Sequence, residues 1–141
     1  MKSKKEKRTR AFYRVAWNVH HMWEEKGSSD TRLFDEPIIS RDYVMAGQSV
    51  EGGNYNEHVV PRIMICEECH KMYAQGSSIE EVAVFIEKFL KIVKISKEEQ
   101  QHLDNKGNLN LKQTMPPNWE FETGDVFHRL EYGNIKFTPI T

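Results

Sequence analysis

The chain holds little cysteine: Cys66 and Cys69 are the only two in 141 residues. Two thiols three positions apart cannot make the several-bridge framework of a small secreted domain. No signal-peptide core follows the first residues either, so a reducing cytoplasm is the expected compartment. Long apolar runs are missing too. None approaches the ~20 residues that a membrane-crossing helix needs, so no membrane partner is expected. Internal repeats and low-complexity segments are lacking, which excludes a repeat array. A surplus of one charge is also absent, with 20 Lys and Arg against 21 Asp and Glu, a formal net charge of -1 and a pI near 6.6. The field of the whole molecule does not mark a nucleic-acid binder, and any such role must rest on a local patch.

What is present suits one soluble domain. With 38% hydrophobic and 29% charged residues, the chain can bury one sizeable core. The local patch lies at the start, where MKSKKEKRTR sets six Lys and Arg against Glu6 alone. Residues 1–10 read as a basic, disordered tail that serves solubility or touches phosphates. Residues 11–141 read as a single globular domain.

Within that domain, Phe12, Val15, Val19, Met22 and Trp23 recur at helical spacing from Ala11 to Glu24, and Gly27 to Asp30 end the helix. Tyr13, Trp17, His20 and Glu24 fall on a second stripe, which either packs against a loop or stacks bases. Residues 31–56, with Pro37, Gly47, Gly52 and Gly53, predict a long loop holding one short strand. Tyr55 to Val60 reads as a strand closed by Pro61, followed by a helix to about Gln75 with Gly76 as its stop. Ser78 to Glu81 and Ser96 to Glu99 each spell a capping box, opening helices on either side of a strand at Ile92 to Ile95. Beyond Asn105, glycines and prolines predict turns, with a last strand near Asn134 to Thr138. The expected class is α+β, several helices packed on a small, short-stranded sheet.

Two motifs compete for the chemistry. Cys66-Glu67-Glu68-Cys69-His70 spells C-x-x-C-H. Haem attachment needs an oxidising assembly route, so no haem is expected. Zinc could take Cys66, Cys69 and His70, but a structural site wants four ligands and no second cysteine pair exists. Ile65, Cys66, Cys69, Met72 and Tyr73 share one helical face, so packing is the preferred role for both thiols.

The second motif is Glu57-His58-Val59-Val60-Pro61. Neighbouring carboxylate and imidazole on a strand point to opposite faces, or splay at its end, so one can hold a metal while the other faces water. The next strand runs directly into the helix bearing His102. This order, with E-H-V-V-P similar to a D-H-x-x-P opening strand, resembles the HNH endonuclease family over about residues 55–106. Two helices separate the strands here, and Asn105 and Asn108 are the candidates for the middle Asn. The resemblance implies a ββα-metal core hydrolysing phosphodiester bonds in nucleic acid. In it, His58 would be the general base, and Glu57 and His102 would hold a divalent ion (Mg, Mn, Ni or Zn). Arg62, Lys91, Lys94 and Lys97, near in sequence, would neutralise phosphates. Against these roles stand a His58 that ties a loop to the core and a His102 that is simply exposed.

Three classes of function follow: a metal-dependent nuclease; a non-catalytic binding or inhibitor protein on a nuclease-like scaffold, of the kind phages and mobile elements carry, with a protein or nucleic-acid partner; and a small zinc-stabilised interaction module.

Overall fold

A computed structural model describes residues 2–140. Five α-helices and a four-stranded mixed sheet make a small α+β fold among these residues. No helix among them is long and apolar enough to cross a membrane. The chain divides into two compact units. One comprises the residues up to Val44 with Arg62–Lys88; the other comprises Met45–Pro61 with the residues from Phe89 onward.

The first unit is built on helix α1, Lys4–Lys26. The basic segment expected to be a disordered tail is helical from Lys4. The reason is local: Ser3 and Glu6 form a capping box, each side chain accepting from the other's backbone N–H. Lys and Arg are also good helix formers, and the charge run concealed that start. Arg8 is further tied down by an ion pair to Glu87 at 2.9 Å, by a hydrogen bond donated to the Tyr43 carbonyl, and by lying over the Phe12 ring. Inward, α1 buries Ala11, Phe12, Val15, Ala16 and Val19. Each large apolar side chain so buried contributes about 1.5–3 kcal/mol. Gly27, at φ 74°, ends the helix in the left-handed conformation that residues with a Cβ resist. Helix α2, Arg62–Ala74, packs on α1 with Ile65, Cys66, Cys69 and Tyr73 buried. The Tyr73 hydroxyl donates to the Ala16 carbonyl at 2.7 Å. Helix α3, Ile79–Phe89, opens on the Ser78–Glu81 capping box and buries Val82, Ala83 and Ile86.

The second unit holds the whole sheet: β1 Met45–Ser49, β2 Tyr55–His58, β3 Ile92–Ile95 and β4 Phe137–Pro139, in spatial order β2-β3-β1-β4. β3 runs antiparallel to β2 and parallel to β1, and β4 closes the other edge antiparallel to β1. Ile92, Val93 and Ile95 are all buried, as an interior strand with a parallel neighbour requires. The turn between β1 and β2 depends on Gly53: its φ is 100°, and a Cβ there would lie 2.3 Å from the Ile95 carbonyl oxygen. Helix α4, Lys97–Asp104, follows β3 directly behind its Ser96–Glu99 capping box and packs on β2. Helix α5, His128–Tyr132, precedes β4.

Candidate functional site

β2, β3 and α4 reproduce the strand–strand–helix order that the sequence suggested, and the chemistry turns on what faces Glu57. Register pairs Glu57 with Val93, so its carboxylate lies on one face of the sheet. Strand alternation sends His58, half-buried, to the other face, beside Ile92 in register. On its own face Glu57 meets Arg129 of α5.

Arg129 is 1% exposed, and its guanidinium is the hub of a buried network. Nη1 donates to Glu57 Oε1 at 2.5 Å and to the His58 carbonyl at 3.3 Å. Nη2 donates to Asp104 Oδ1 of α4 at 3.1 Å, and Nε to the Leu111 carbonyl at 2.8 Å. One cation thus serves two carboxylates and two carbonyls on three separate segments. Burial pushes the Glu57 carboxyl up from its ordinary range, against the pull of Arg129, and neighbouring Asp104 pushes the same way.

A divalent ion does not fit this donor set. Bound to the Glu57 carboxylate it would sit within about 4–5 Å of the guanidinium, where two unit charges already repel by about 4 kcal/mol at an effective dielectric of ~20. His102 cannot help. It precedes Asp104 by two positions, roughly 200° around α4, and is exposed. It lines an open groove with Glu51, Glu98, Glu99, Asn134 and Lys136 instead. The expected Glu57–His102 pairing about a metal is therefore replaced by Glu57–Arg129–Asp104. Glu57, His58 and His102 are not brought together.

The other expected site residues scatter. Arg62 pairs with Asp35 in the first unit. In the second, Lys91 is half-buried and gives its carbonyl to the Val59 N–H, Lys94 pairs in register with Asn56, and Lys97 is exposed at the start of α4. Cys66 and Cys69 are buried free thiols, as the packing role requires. Burial pushes both thiols up, which favours their protonated form. His70 Nε2 lies 2.6 Å from Ser29 Oγ and 3.7 Å from Cys66 Sγ, and desolvation lowers its pKa. Cys66, Cys69 and His70 do not close into a three-ligand group. Among the described residues only His20, His21 and Glu24 do so.

One surface feature stands apart. On the outer side of α1, Tyr13 and Trp17 are 39% and 44% exposed, and with Thr9, Arg10 and Arg14 they line a shallow depression. The stripe of Tyr13, Trp17, His20 and Glu24 splits: the first two rings face out, while His20 turns toward Tyr73, ring centroids 4.7 Å apart. Arg129 and Asp104 are the residues that sequence reasoning missed. The available signal was an arginine set between Phe127 and Leu130 on an apolar stretch, a position that needs buried acidic partners. Comparison with known proteins finds no matching family model, curated protein or solved structure.

Proposed function

We propose that this chain is a non-catalytic nucleic-acid-binding protein whose strand–strand–helix unit is a structural scaffold. The observation that carries the reading is the face of α1. Tyr13 and Trp17 stand exposed beside Arg10 and Arg14, on a segment where Lys2, Lys4, Lys5, Lys7, Arg8, Arg10 and Arg14 face one acid, Glu6. Exposed rings beside cations suit single strands: bases stack on the rings while the cations follow the phosphates. Arg8 is committed to Glu87, and Arg14 Nε donates to the Ile38 carbonyl at 2.8 Å, so the exposed Lys4, Lys5, Lys7 and Arg10 are the cations offered to phosphates. The sealed Glu57–Arg129–Asp104 network supports the non-catalytic half, because the carboxylate that a metal-dependent nuclease would use is already neutralised.

The test is fluorescence anisotropy with labelled single-stranded DNA and RNA oligonucleotides over about 50–200 mM salt. Binding should weaken steeply with salt, and Trp17→Ala or Tyr13→Ala should weaken it about 5- to 150-fold each, the equivalent of 1–3 kcal/mol per stacked base. Affinity unchanged by both substitutions, or no binding at the lowest salt, sinks the reading. Cleavage in the presence of Mg²⁺, Mn²⁺, Ni²⁺ or Zn²⁺ that His58→Ala abolishes would restore the HNH-like nuclease in its place.

A further inference from the structure

The C-terminal half of α1 carries His20, His21 and Glu24, and one ligand atom of each lies within 4.8 Å of the other two. His20 and Glu24 are one turn apart, so their side chains lie one over the other. His20 Nε2 is 4.0 Å from Glu24 Oε2, which is too long for a hydrogen bond. Tetrahedral coordination with bonds of about 2.0–2.2 Å sets neighbouring ligand atoms about 3.3 Å apart. A small side-chain rotation therefore closes the pair around an ion.

Both imidazoles are positioned by ring packing rather than by hydrogen bonds. His21 lies against Trp17 at 4.1 Å between centroids, and His20 against Tyr73 at 4.7 Å and Trp23 at 6.3 Å. Tyr73 is itself anchored to the Ala16 carbonyl. His20 Nδ1 is buried with no hydrogen-bond partner among the described residues. The rings are thus held in place while Nε2 of His20 remains available, and the Glu24 side chain, 63% exposed, can swing to meet it.

We propose that His20, His21 and Glu24 bind one late first-row transition-metal cation of the zinc, nickel and copper class. Two imidazoles and one carboxylate suit that class, whereas Mg²⁺ and Ca²⁺ want oxygen donors throughout. Three protein ligands leave a fourth tetrahedral position for water. His20 Nδ1 lacks the acceptor that usually orients a ligating imidazole, a partner generally worth 10- to 100-fold in affinity, so the site is weaker than one with that support. This site stands independently of the nucleic-acid reading.

The test titrates the full chain, stripped with a chelator and dialysed, with ZnCl₂, NiCl₂ and MgCl₂ by calorimetry. One equivalent of Zn²⁺ or Ni²⁺ should bind, with no heat from Mg²⁺. His20→Ala, His21→Ala and Glu24→Gln should each weaken binding about 10-fold or more, the order expected when a site loses one element of its coordination. Glu24→Gln changes an exposed side chain, so its fold is secure, and unchanged circular dichroism checks the two histidine variants. His70→Ala, which touches the cysteine cluster, should leave Zn²⁺ binding intact. Cu²⁺ should quench the fluorescence of Trp17, which packs on His21, and lose that effect in His21→Ala. No binding up to about 1 mM metal, an affinity too weak for a built site, overturns the proposal. So does binding that survives all three ligand substitutions or vanishes in His70→Ala.

Discussion

Replacing Arg129 by Met removes the cation that pairs with both Glu57 and Asp104 while keeping a side chain of comparable length. The Glu57 side chain is 8% exposed and that of Asp104 is 9% exposed, so neither can recruit bulk water in compensation. Breaking a buried pair by deleting one partner costs about 3–5 kcal/mol, because the remaining charge stays desolvated. The Leu111 carbonyl loses its donor as well. Set against a total stability of about 5–15 kcal/mol for a protein of this kind, that is about a fifth or more. In urea, with a slope of about 1–3 kcal/mol/M, the midpoint should fall by about 2 M. Trp119 lies in the same unit as Arg129, so its fluorescence, with Trp17 and Trp23 changed to Phe, reports on the right part of the chain. Glu57→Gln in the same background relieves the stranded charge. The double variant should be less destabilised than the sum of the singles by about 1–3 kcal/mol. A single-variant loss under about 1 kcal/mol, or strict additivity, would refute the account of Arg129 as the ion that satisfies both carboxylates.

Three further outcomes are expected. Phe89 is 2% exposed and packs edge-on to Phe121 and Trp119, so Phe89→Ala should cost about 3–5 kcal/mol in chemical denaturation, and a loss near zero would remove it from the core. Cys66 and Cys69, buried with raised pKa, should resist alkylation in the native state and react fully on unfolding; rapid native labelling at pH 8 contradicts this. Because the folded state holds those protons more tightly than the unfolded chain, their contribution to stability is complete below the unfolded thiol value of about 8.5 and is lost as pH rises past it. A midpoint that does not decline from pH 8 to pH 10, more steeply in wild type than in a Cys66→Ala, Cys69→Ala variant, goes against that sign.

Local signals carried most of the fold. The two capping boxes at Ser78 and Ser96, the stop at Gly76 and the apolar run at Ile92–Ile95 each fix an element through residues within one turn of it, and the elements stand where those residues put them. The start of α1 was equally local, yet the Ser3–Glu6 box lay hidden in a charge run that composition alone assigns to a tail. The site was another matter. Glu57 and Arg129 are 72 positions apart, and nothing near Glu57 in sequence says whether a guanidinium, a metal or water will face it. On α4 the distinction was finer still. His102 and Asp104 differ by two residues, and only the phase of the helix against β2 decides that the aspartate reaches the network while the histidine reaches solvent. Periodicity about Leu103 constrains that phase without naming the partner.

Neither compact unit is one continuous piece of chain, and this shapes how the protein is made. As the chain emerges during synthesis, α1 appears before α2 with Phe12, Val15 and Val19 bare, and must wait for Arg62–Ala74 to pack against it. Most of the stability of such an amphipathic helix comes from the packing it still lacks. β1 waits longer, for β3 on one side and for Phe137–Pro139, about 90 residues further on, on the other. Loop closure over such spans costs little at equilibrium, since the penalty grows only with the logarithm of length, but it delays assembly. Until those partners emerge, the nascent chain keeps sticky surfaces on show. A chain released before Phe137 would keep β1 as an open strand edge, ready to pair with another copy.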